Sequence, residues 1–171
     1  MSRSELSLFS YEVMGLVGRD GAGPHDLLRM ARRGRLLDWA GESQYYVEPK
    51  RLAKLGYLEA RSEPGQTRPK TVYGLTDKGL EALREYAATP VTVTPLKSEP
   101  LLRLLIADLV GEDVTRGSLQ TLRADLDDLR ERIDASSTAA GELPHREKYL
   151  NAVNAFLRSY VDLHEELIEA L

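Results

Sequence analysis

Apolar residues recur at helical spacing along the first part of the chain. The pattern predicts a helix over residues 5–18, with an apolar face formed by Leu6, Phe9, Val13, Leu16 and Val17. Residues 20–24 include two glycines and a proline, which disfavour a helix, so the first helix ends before them. A second helix then begins at Pro24, and its inward face consists of Leu27, Leu28, Met30 and Ala31. Two short amphipathic helices are therefore expected at the start of the chain.

A third helix is predicted over residues 43–55, with apolar and polar residues on opposite sides. Tyr45, Leu52 and Leu55 fall on one side. The other side carries Ser43, Val47, Lys50 and Lys54, with Gln44 and Arg51 beside them. Pro49 lies inside this segment, where its ring removes one backbone hydrogen bond, so we expect a kink or a short break there. Gly56 supplies the helix end.

Two β-strands follow the third helix. Residues 57–62 and 70–75 favour extended structure, and a polar turn joins them. Thr76 is the expected N-cap of a fourth helix, whose apolar stripe is Leu80, Leu83 and Ala87. The order of three helices, strand, turn, strand and helix is that of a winged helix-turn-helix, in which the third helix is placed to enter a DNA major groove.

The rest of the chain has a different pattern. Three prolines between residues 89 and 100 predict an extended linker, so we expect a winged helix-turn-helix domain over 1–88 and a helical domain over 101–171. A short apolar helix is expected over 101–110, a loop over 135–142 and a last helix over 144–170. A seam at steps of three and four joins Leu119, Leu122, Leu126, Leu129 and Ile133, and the last helix carries one broad apolar face.

The predicted fold is thus mainly α with a small β-wing, followed by C-terminal helices for dimerisation. Helices this apolar in so small a domain usually pair with a second copy, so a homodimer is expected. The alternative is that these helices pack against the winged domain of the same chain.

Composition narrows the range of functions. The 171 residues contain no cysteine and three histidines, none of which form a helical zinc pair, so no metal or cofactor is expected. No nucleophile with a base, carboxylate pair in a cleft or phosphate-binding glycine loop stands out, so we expect no enzymatic activity. The sequence lacks a signal peptide and a bilayer-length apolar run, which favours a cytoplasmic protein without a membrane partner.

The charge is unevenly distributed. Residues 1–88 carry 14 Lys and Arg against 12 Asp and Glu, whereas residues 89–171 carry 9 against 15. A mildly basic N-terminal half suits contact with a polyanion. The candidate DNA contacts lie on the third helix and the wing: Ser43, Gln44, Tyr46, Lys50, Arg51, Arg68 and Lys70. A further basic cluster, Arg32, Arg33 and Arg35, either adds to this surface or caps the second helix.

Two motifs resemble the PadR family of transcriptional regulators. The first is Tyr45-Tyr46-x-x-x-Lys50-Arg51-Leu52-x-x-x-Gly56-Tyr57-Leu58, across the third helix and the start of the wing. The second is Gly65-x-x-Arg68-Pro69-Lys70-x-x-Tyr73-x-Leu75-Thr76-x-x-Gly79, across the wing and the fourth helix. The chain departs from the family pattern at Pro49 and through extra residues at 36–41.

The resemblance implies a regulator, usually a repressor, that binds a palindromic operator as a homodimer. By the same similarity Tyr46 corresponds to the family's recognition-helix tyrosine, and Arg68 and Lys70 to its basic wing residues. Such regulators often respond to small aromatic molecules. Trp39, Tyr149, Phe156 and Tyr160 are candidates to line an aromatic pocket, although core packing is the simpler expectation for them.

Two alternatives stay open. A winged helix can serve protein contacts without binding DNA, but such a module has no need of both a basic third helix and a basic wing. A regulator of another winged-helix family, such as the MarR type, is the nearest competing interpretation. In that type, helices usually flank the winged domain at both ends of the chain, whereas here the predicted dimer helices are almost all C-terminal.

Overall fold

The computed structural model describes residues 5–33, 40–65, 69–93, 97–141 and 145–170. The chain divides into two compact units, Met1–Thr92 and Val93–Leu171. Among the described helices, none combines the length and apolar character needed to cross a membrane.

The N-terminal unit has the predicted order of elements. They are α1 (Leu8–Val17), α2 (Pro24–Arg33), α3 (Gln44–Lys54), β1 (Leu58–Glu63), β2 (Lys70–Leu75) and α4 (Asp77–Ala87). Side chains fix the start of two helices. At α1, Ser7 and Ser10 form a reciprocal capping box. At α4, the Thr76 hydroxyl accepts a hydrogen bond from the Gly79 N–H, which confirms Thr76 as the N-cap.

The wing is an antiparallel pair in which Leu58 lies opposite Leu75 and Glu63 opposite Lys70. A short bridge that the sequence did not indicate joins Ala22 to Tyr73, with backbone hydrogen bonds of 3.0 Å in both directions. Gly21, just before the bridge, has φ +81°, and a Cβ there would lie 2.9 Å from the Tyr73 carbonyl oxygen. Glycine is therefore required where α1 turns toward the wing.

Helices α1 to α4 and the wing enclose one hydrophobic core. Its most deeply buried members come from three helices and the start of β1: Val13, Met14, Leu27, Tyr45, Leu52 and Leu58. Leu80, predicted on the apolar stripe of α4, is exposed, and Ala82 is buried instead. The stripe is therefore rotated from the prediction, with the close contact of Gly79 and β1 fixing how α4 lies.

Helix α3 continues through Pro49 without the break that the sequence allowed. Pro49 is itself buried, as are Tyr45 and Leu52 on either side. Burial of two large side chains contributes about 3–6 kcal/mol, which is enough to offset the roughly 3 kcal/mol cost of an interior proline. Tertiary packing therefore holds the helix together across Pro49.

The C-terminal unit contains α5 (Glu99–Leu105), α6 (Ala107–Val110), α7 (Glu112–Gln120), α8 (Leu122–Ala140) and α9 (Glu147–Glu169). The helix predicted over 101–110 is thus divided at Ile106. The loop predicted over 135–142 is wrong over most of its length, since α8 runs to Ala140. The Ser137 and Thr138 hydroxyls donate to the carbonyls of Ile133 and Asp134, so these polar side chains are accommodated within the helix.

Helices α8 and α9 form the core of this unit. The predicted seam is buried at Leu119, Leu126, Leu129 and Ile133, whereas Leu122 is only half-buried. On α9 the predicted broad face is really two faces. Asn154, Leu157, Val161 and Ile168 are buried, and a second set is exposed: Tyr149, Val153, Phe156, Tyr160 and Leu163. The three aromatic residues expected in the core or in a pocket are therefore on the surface of the chain, and Trp39 lies outside the described residues.

Candidate nucleic-acid interface

The inner side of α3 is fixed to α1 by a buried tyrosine. Tyr45 is fully buried, and its hydroxyl donates a 2.7 Å hydrogen bond to Glu12 Oε1. The Phe9 ring meets the Tyr45 ring edge to face, with centroids 5.1 Å apart. These contacts leave α3 little freedom to rotate about its axis, so the direction of its outer side is set by the core.

A charged cluster adds a second attachment between α3 and α1. Arg51 binds Glu48 through Nε and Nη2, at 2.9 and 2.7 Å, and Ser10 donates a 2.7 Å hydrogen bond to the same carboxylate. Arg51 also donates to the Glu5 carbonyl at 3.1 Å. The hydrogen bonds from Arg51 lower the pKa of Glu48 against the opposing effect of burial, and Glu48 raises the pKa of Arg51.

This cluster changes the interpretation of Arg51. The sequence placed it among the DNA contacts, but its observed partners belong to the protein, because Glu48 lies one helical turn before it. A guanidinium held by a bidentate carboxylate would have to give up that pair to reach a phosphate. We therefore assign Arg51 to holding α3 in place.

The outer side of α3 is exposed and polar. Four residues predicted to contact DNA are exposed on the N-terminal and middle turns of α3: Ser43, Gln44, Tyr46 and Lys50. Ser43 lies at the N-cap without using its hydroxyl in a capping hydrogen bond. Tyr46 is 37% exposed, so its side chain is partly covered by the protein and partly open to solvent. Hydroxyl, amide and ammonium groups are thus presented on one convex surface.

One residue that the sequence placed on this side of α3 was left out of the predicted DNA contacts. Val47 is 55% exposed and lies among the polar residues of the outer side of α3. An apolar side chain was not counted as a candidate contact. Its position could have identified it as a contact, because Val47 lies four residues after Ser43 and three before Lys50, on the same side of the helix.

The wing contributes basic residues at its open end. Lys70 is exposed at the first position of β2, opposite Glu63. Arg68 lies outside the described residues. Arg61, which the sequence reasoning did not single out, is exposed on β1, with Nε 3.6 Å from Glu59 Oε1. A screened surface pair of this kind is weak, so Arg61 can exchange its partner.

The basic cluster at the C-terminal end of α2 lies only partly within the described residues. Arg32 donates a 3.2 Å hydrogen bond to Glu42, just before α3, and both side chains are exposed. The Arg33 side chain and Arg35 lie outside the described residues. The observed contact joins the end of α2 to the segment leading into α3, which favours the structural interpretation for Arg32.

The C-terminal end of α3 is tied to α4 at a close junction. Lys78 donates a 2.7 Å hydrogen bond to the Leu55 carbonyl, and its Nζ lies 4.1 Å from the centre of the Tyr57 ring. A Cβ at Gly79 would lie 2.2 Å from the Tyr57 carbonyl oxygen, so α4 approaches β1 as closely as glycine allows. Helix α3 is thereby fixed at both ends. In the described part of the chain, no cluster of His, Asp or Glu residues is placed to hold a metal ion.

Solved structures of regulators share this architecture along almost the whole chain. Bacillus subtilis PadR in complex with operator DNA has a TM-score of 0.76 at 18% identity, covering 98% of this chain and 99% of that chain. The PadR-like transcriptional regulator BC1756 from Bacillus cereus has a TM-score of 0.70 at 18% identity, covering 99% of both chains. The chain has the PadR winged-helix fold. Bacillus subtilis PadR in complex with p-coumaric acid is also similar, with a TM-score of 0.65 at 16% identity over 96% of this chain and 98% of that chain.

The PadR likeness lies in the three-dimensional structure. No protein-family model matches the sequence, and no curated protein matches it. The resemblance predicted from the motifs of α3 and the wing is confirmed at the level of the fold. Within this fold, α3 is the third helix of the winged domain, β1 and β2 form the wing, and α5 to α9 form the C-terminal helical unit.

Proposed function

We propose that the protein is a homodimeric, sequence-specific DNA-binding transcriptional regulator that represses transcription from a palindromic operator. The observation that carries this proposal is the outer side of α3, where Ser43, Gln44, Tyr46 and Lys50 are exposed together on a helix fixed from behind. A rigid helix with an exposed polar side is what major-groove recognition requires.

The proposed DNA contacts have different chemistry. Ser43 and Gln44, at the N-terminal end of α3, reach base edges, where an amide can pair with adenine. Tyr46 and Lys50 contact phosphates through a hydroxyl and an ammonium group. Lys70 and Arg68 bring positive charge from the wing to the adjacent minor groove. The N-terminal half carries little net charge overall, so its attraction to DNA depends on the local basic residues of α3 and the wing.

A second copy of the chain is the proposed partner of the C-terminal helices. On α9 the exposed apolar residues recur at steps of four and three, from Tyr149 to Leu163, and form a stripe beside the buried face. Exposed leucines of α5 and α6, Leu102, Leu105 and Leu109, add further apolar surface. Two copies related by a twofold axis would bury these surfaces and present two α3 helices to the half-sites of a palindrome.

Repression of transcription and regulation by a small aromatic effector are the remaining parts of the proposal. They are supported by the PadR likeness, since p-coumaric acid is bound in one of the similar structures. The protein is not proposed to be an enzyme, to need a cofactor or to bind a membrane, and its place of action is the cytoplasm.

Fluorescence anisotropy with the protein's own upstream DNA tests the proposal. The protein is titrated into the labelled duplex at two salt concentrations, beside a scrambled duplex of the same composition. We expect a preference for the upstream duplex at both salt concentrations, with both affinities falling as salt rises. Equal weak binding to both duplexes means that the upstream DNA holds no operator, and a genome-wide selection of bound fragments then searches for one elsewhere. If that selection also enriches no sequence, the winged helix serves protein contacts instead.

A further inference from the structure

We propose that Val47 is a specificity-determining residue that contacts the 5-methyl group of a thymine in each operator half-site. The inference rests on the proposed function, since it assumes that α3 enters the major groove. It assigns a role to a residue that the candidate DNA contacts did not include.

The position of Val47 on α3 is the first observation. At about 100° per residue, Ser43 and Lys54 lie within roughly 40° of Val47 around the helix axis, and Lys50 and Gln44 lie about 60° to either side. All four of these polar residues are exposed. Val47 therefore lies on the outer side of α3, among these polar residues and away from the core.

The exposure of Val47 is the second observation. Within α3, which the structure describes from end to end, Val47 is the one exposed aliphatic side chain. A β-branched residue is slightly unfavourable in a helix, and at this position it gains no packing against the core to offset that. Lys50 and Lys54 lie on one side of Val47 around the helix axis, where their ammonium groups are suited to phosphates along one edge of a groove.

The chemistry of the major groove identifies the partner. Each base edge there presents hydrogen-bond donors and acceptors, and the one apolar group is the 5-methyl of thymine. Against any other base edge, Val47 would remove water from a polar group without replacing the hydrogen bond. A thymine at the position facing Val47 is therefore favoured by burial of its methyl group.

The size of this effect follows from the burial of one methyl group. A buried methyl contributes about 0.8 kcal/mol, which corresponds to roughly a fourfold change in affinity. Replacement of that thymine by deoxyuridine, which lacks the methyl, should weaken binding by about fourfold at one position in each half-site. The same replacement at other thymines should have little effect.

The test is a double-mutant cycle between the protein and the DNA. The preferred duplex is first selected from a random library with the full-length protein. Anisotropy then gives the effect of each thymine-to-deoxyuridine replacement for the wild type, for Val47→Ala and for the control Val91→Ala. Val91 is a fully exposed valine outside α3, so the control removes the same atoms from another part of the surface.

We expect the position-specific deoxyuridine effect to be present in the wild type and in Val91→Ala and to disappear in Val47→Ala. An effect of the same size in Val47→Ala, or no thymine with such an effect, overturns the inference while leaving the proposed function intact. If selection enriches no sequence at all, the proposed function fails, and the role of Val47 fails with it.

Discussion

The two units of the chain differ in how much of their apolar surface is buried. In the N-terminal unit, most aliphatic and aromatic residues of α1 to α3 converge on one core, although Leu8 of α1 is exposed. The side chains exposed on α3 are mainly polar, with Val47 as the apolar member. In the C-terminal unit, α8 and α9 bury one seam between them but leave a second apolar stripe on α9 exposed, together with leucines of α5 and α6.

This difference indicates two kinds of partner. A polar, basic and rigid surface is suited to a hydrated polyanion, whose phosphates and base edges need hydrogen bonds and charge. A regularly spaced apolar stripe is suited to another apolar surface, and a second copy of the chain offers an identical one. The proposed function accordingly assigns DNA binding to the N-terminal unit and self-association to the C-terminal unit.

The largest expected effect comes from breaking the apolar stripe of α9. Replacing both Phe156 and Leu163 with Glu should convert the dimer into a monomer, because four charges would face each other at the twofold axis. Light scattering measures the change in mass. Affinity for the operator should fall by about 100-fold or more, since two linked half-sites bind far more tightly than one.

A matched control for the stripe is Ala155→Glu. Ala155 is exposed on α9 but lies roughly 100° away from Phe156, outside the stripe. This variant should remain dimeric. A monomer from Ala155→Glu, or a dimer from the double variant, would remove the stripe from the dimer interface.

The charged cluster behind α3 should have the next largest effect. Arg51→Leu should lower the free energy of unfolding by about 1–3 kcal/mol, because it leaves the buried Glu48 carboxylate without its bidentate partner. The value should lie toward the lower end, since the Arg51 side chain is 38% exposed and solvent screens the pair. Urea unfolding gives the measurement. In the control Arg84→Leu, which breaks an exposed pair with Glu81 at the same spacing, the loss should stay below about 0.5 kcal/mol.

The pH dependence of stability tests the same cluster by another route. The pKa of Glu48 is lowered in the folded state by its hydrogen bonds with Arg51, so its contribution is complete above the unfolded-state value, ordinarily 4.5. That contribution is lost as the pH falls through the lower folded-state value. Wild type and Glu48→Gln should therefore differ in stability at neutral pH and converge in acid. A constant difference at all pH values would mean that the carboxylate charge is not what matters.

A smaller effect is expected from the outer side of α3, and it should appear in DNA binding alone. Tyr46→Ala should weaken operator binding by about tenfold, the loss of roughly 1.4 kcal/mol, while the melting temperature stays within about 2 °C of wild type. Anisotropy and thermal unfolding are measured on the same preparation. A large fall in melting temperature would show that the Tyr46 ring supports the fold instead.

The smallest effect is expected from Lys50. Lys50→Gln should weaken binding to specific and scrambled duplexes by a similar few-fold factor, and should reduce the salt dependence by about one counterion. Titrations at several salt concentrations measure the slope. An unchanged slope with lost sequence preference would instead place Lys50 against a base.

Local signals made much of the winged domain predictable. Thr76 was recognisable as an N-cap from its neighbours, and the second strand was indicated by the β-branched and aromatic residues Thr71, Val72 and Tyr73 after a polar turn. Of the kink or short break expected at Pro49, the break is absent, because the packing of Tyr45 and Leu52 offsets the local cost of the proline.

Other features depend on contacts between distant residues. The apolar positions of α9 all recur at helical spacing, so the sequence could not separate the face buried against α8 from the exposed stripe. Arg51 looked like a DNA contact because its charge was visible. Its partner Glu48 was readable at three residues' distance, but the contribution of Ser10 depends on how α1 packs. Val47 was passed over because a search for charged and polar groups excludes apolar contacts with bases.

The most direct test of the account is the composition of the DNA complex, measured by native mass spectrometry of the full-length protein with its selected duplex. The account predicts one duplex bound by two copies of the 19.1 kDa chain, with no stable complex of one chain and one duplex. A stable complex with a single chain, or the absence of any complex with DNA, would contradict it.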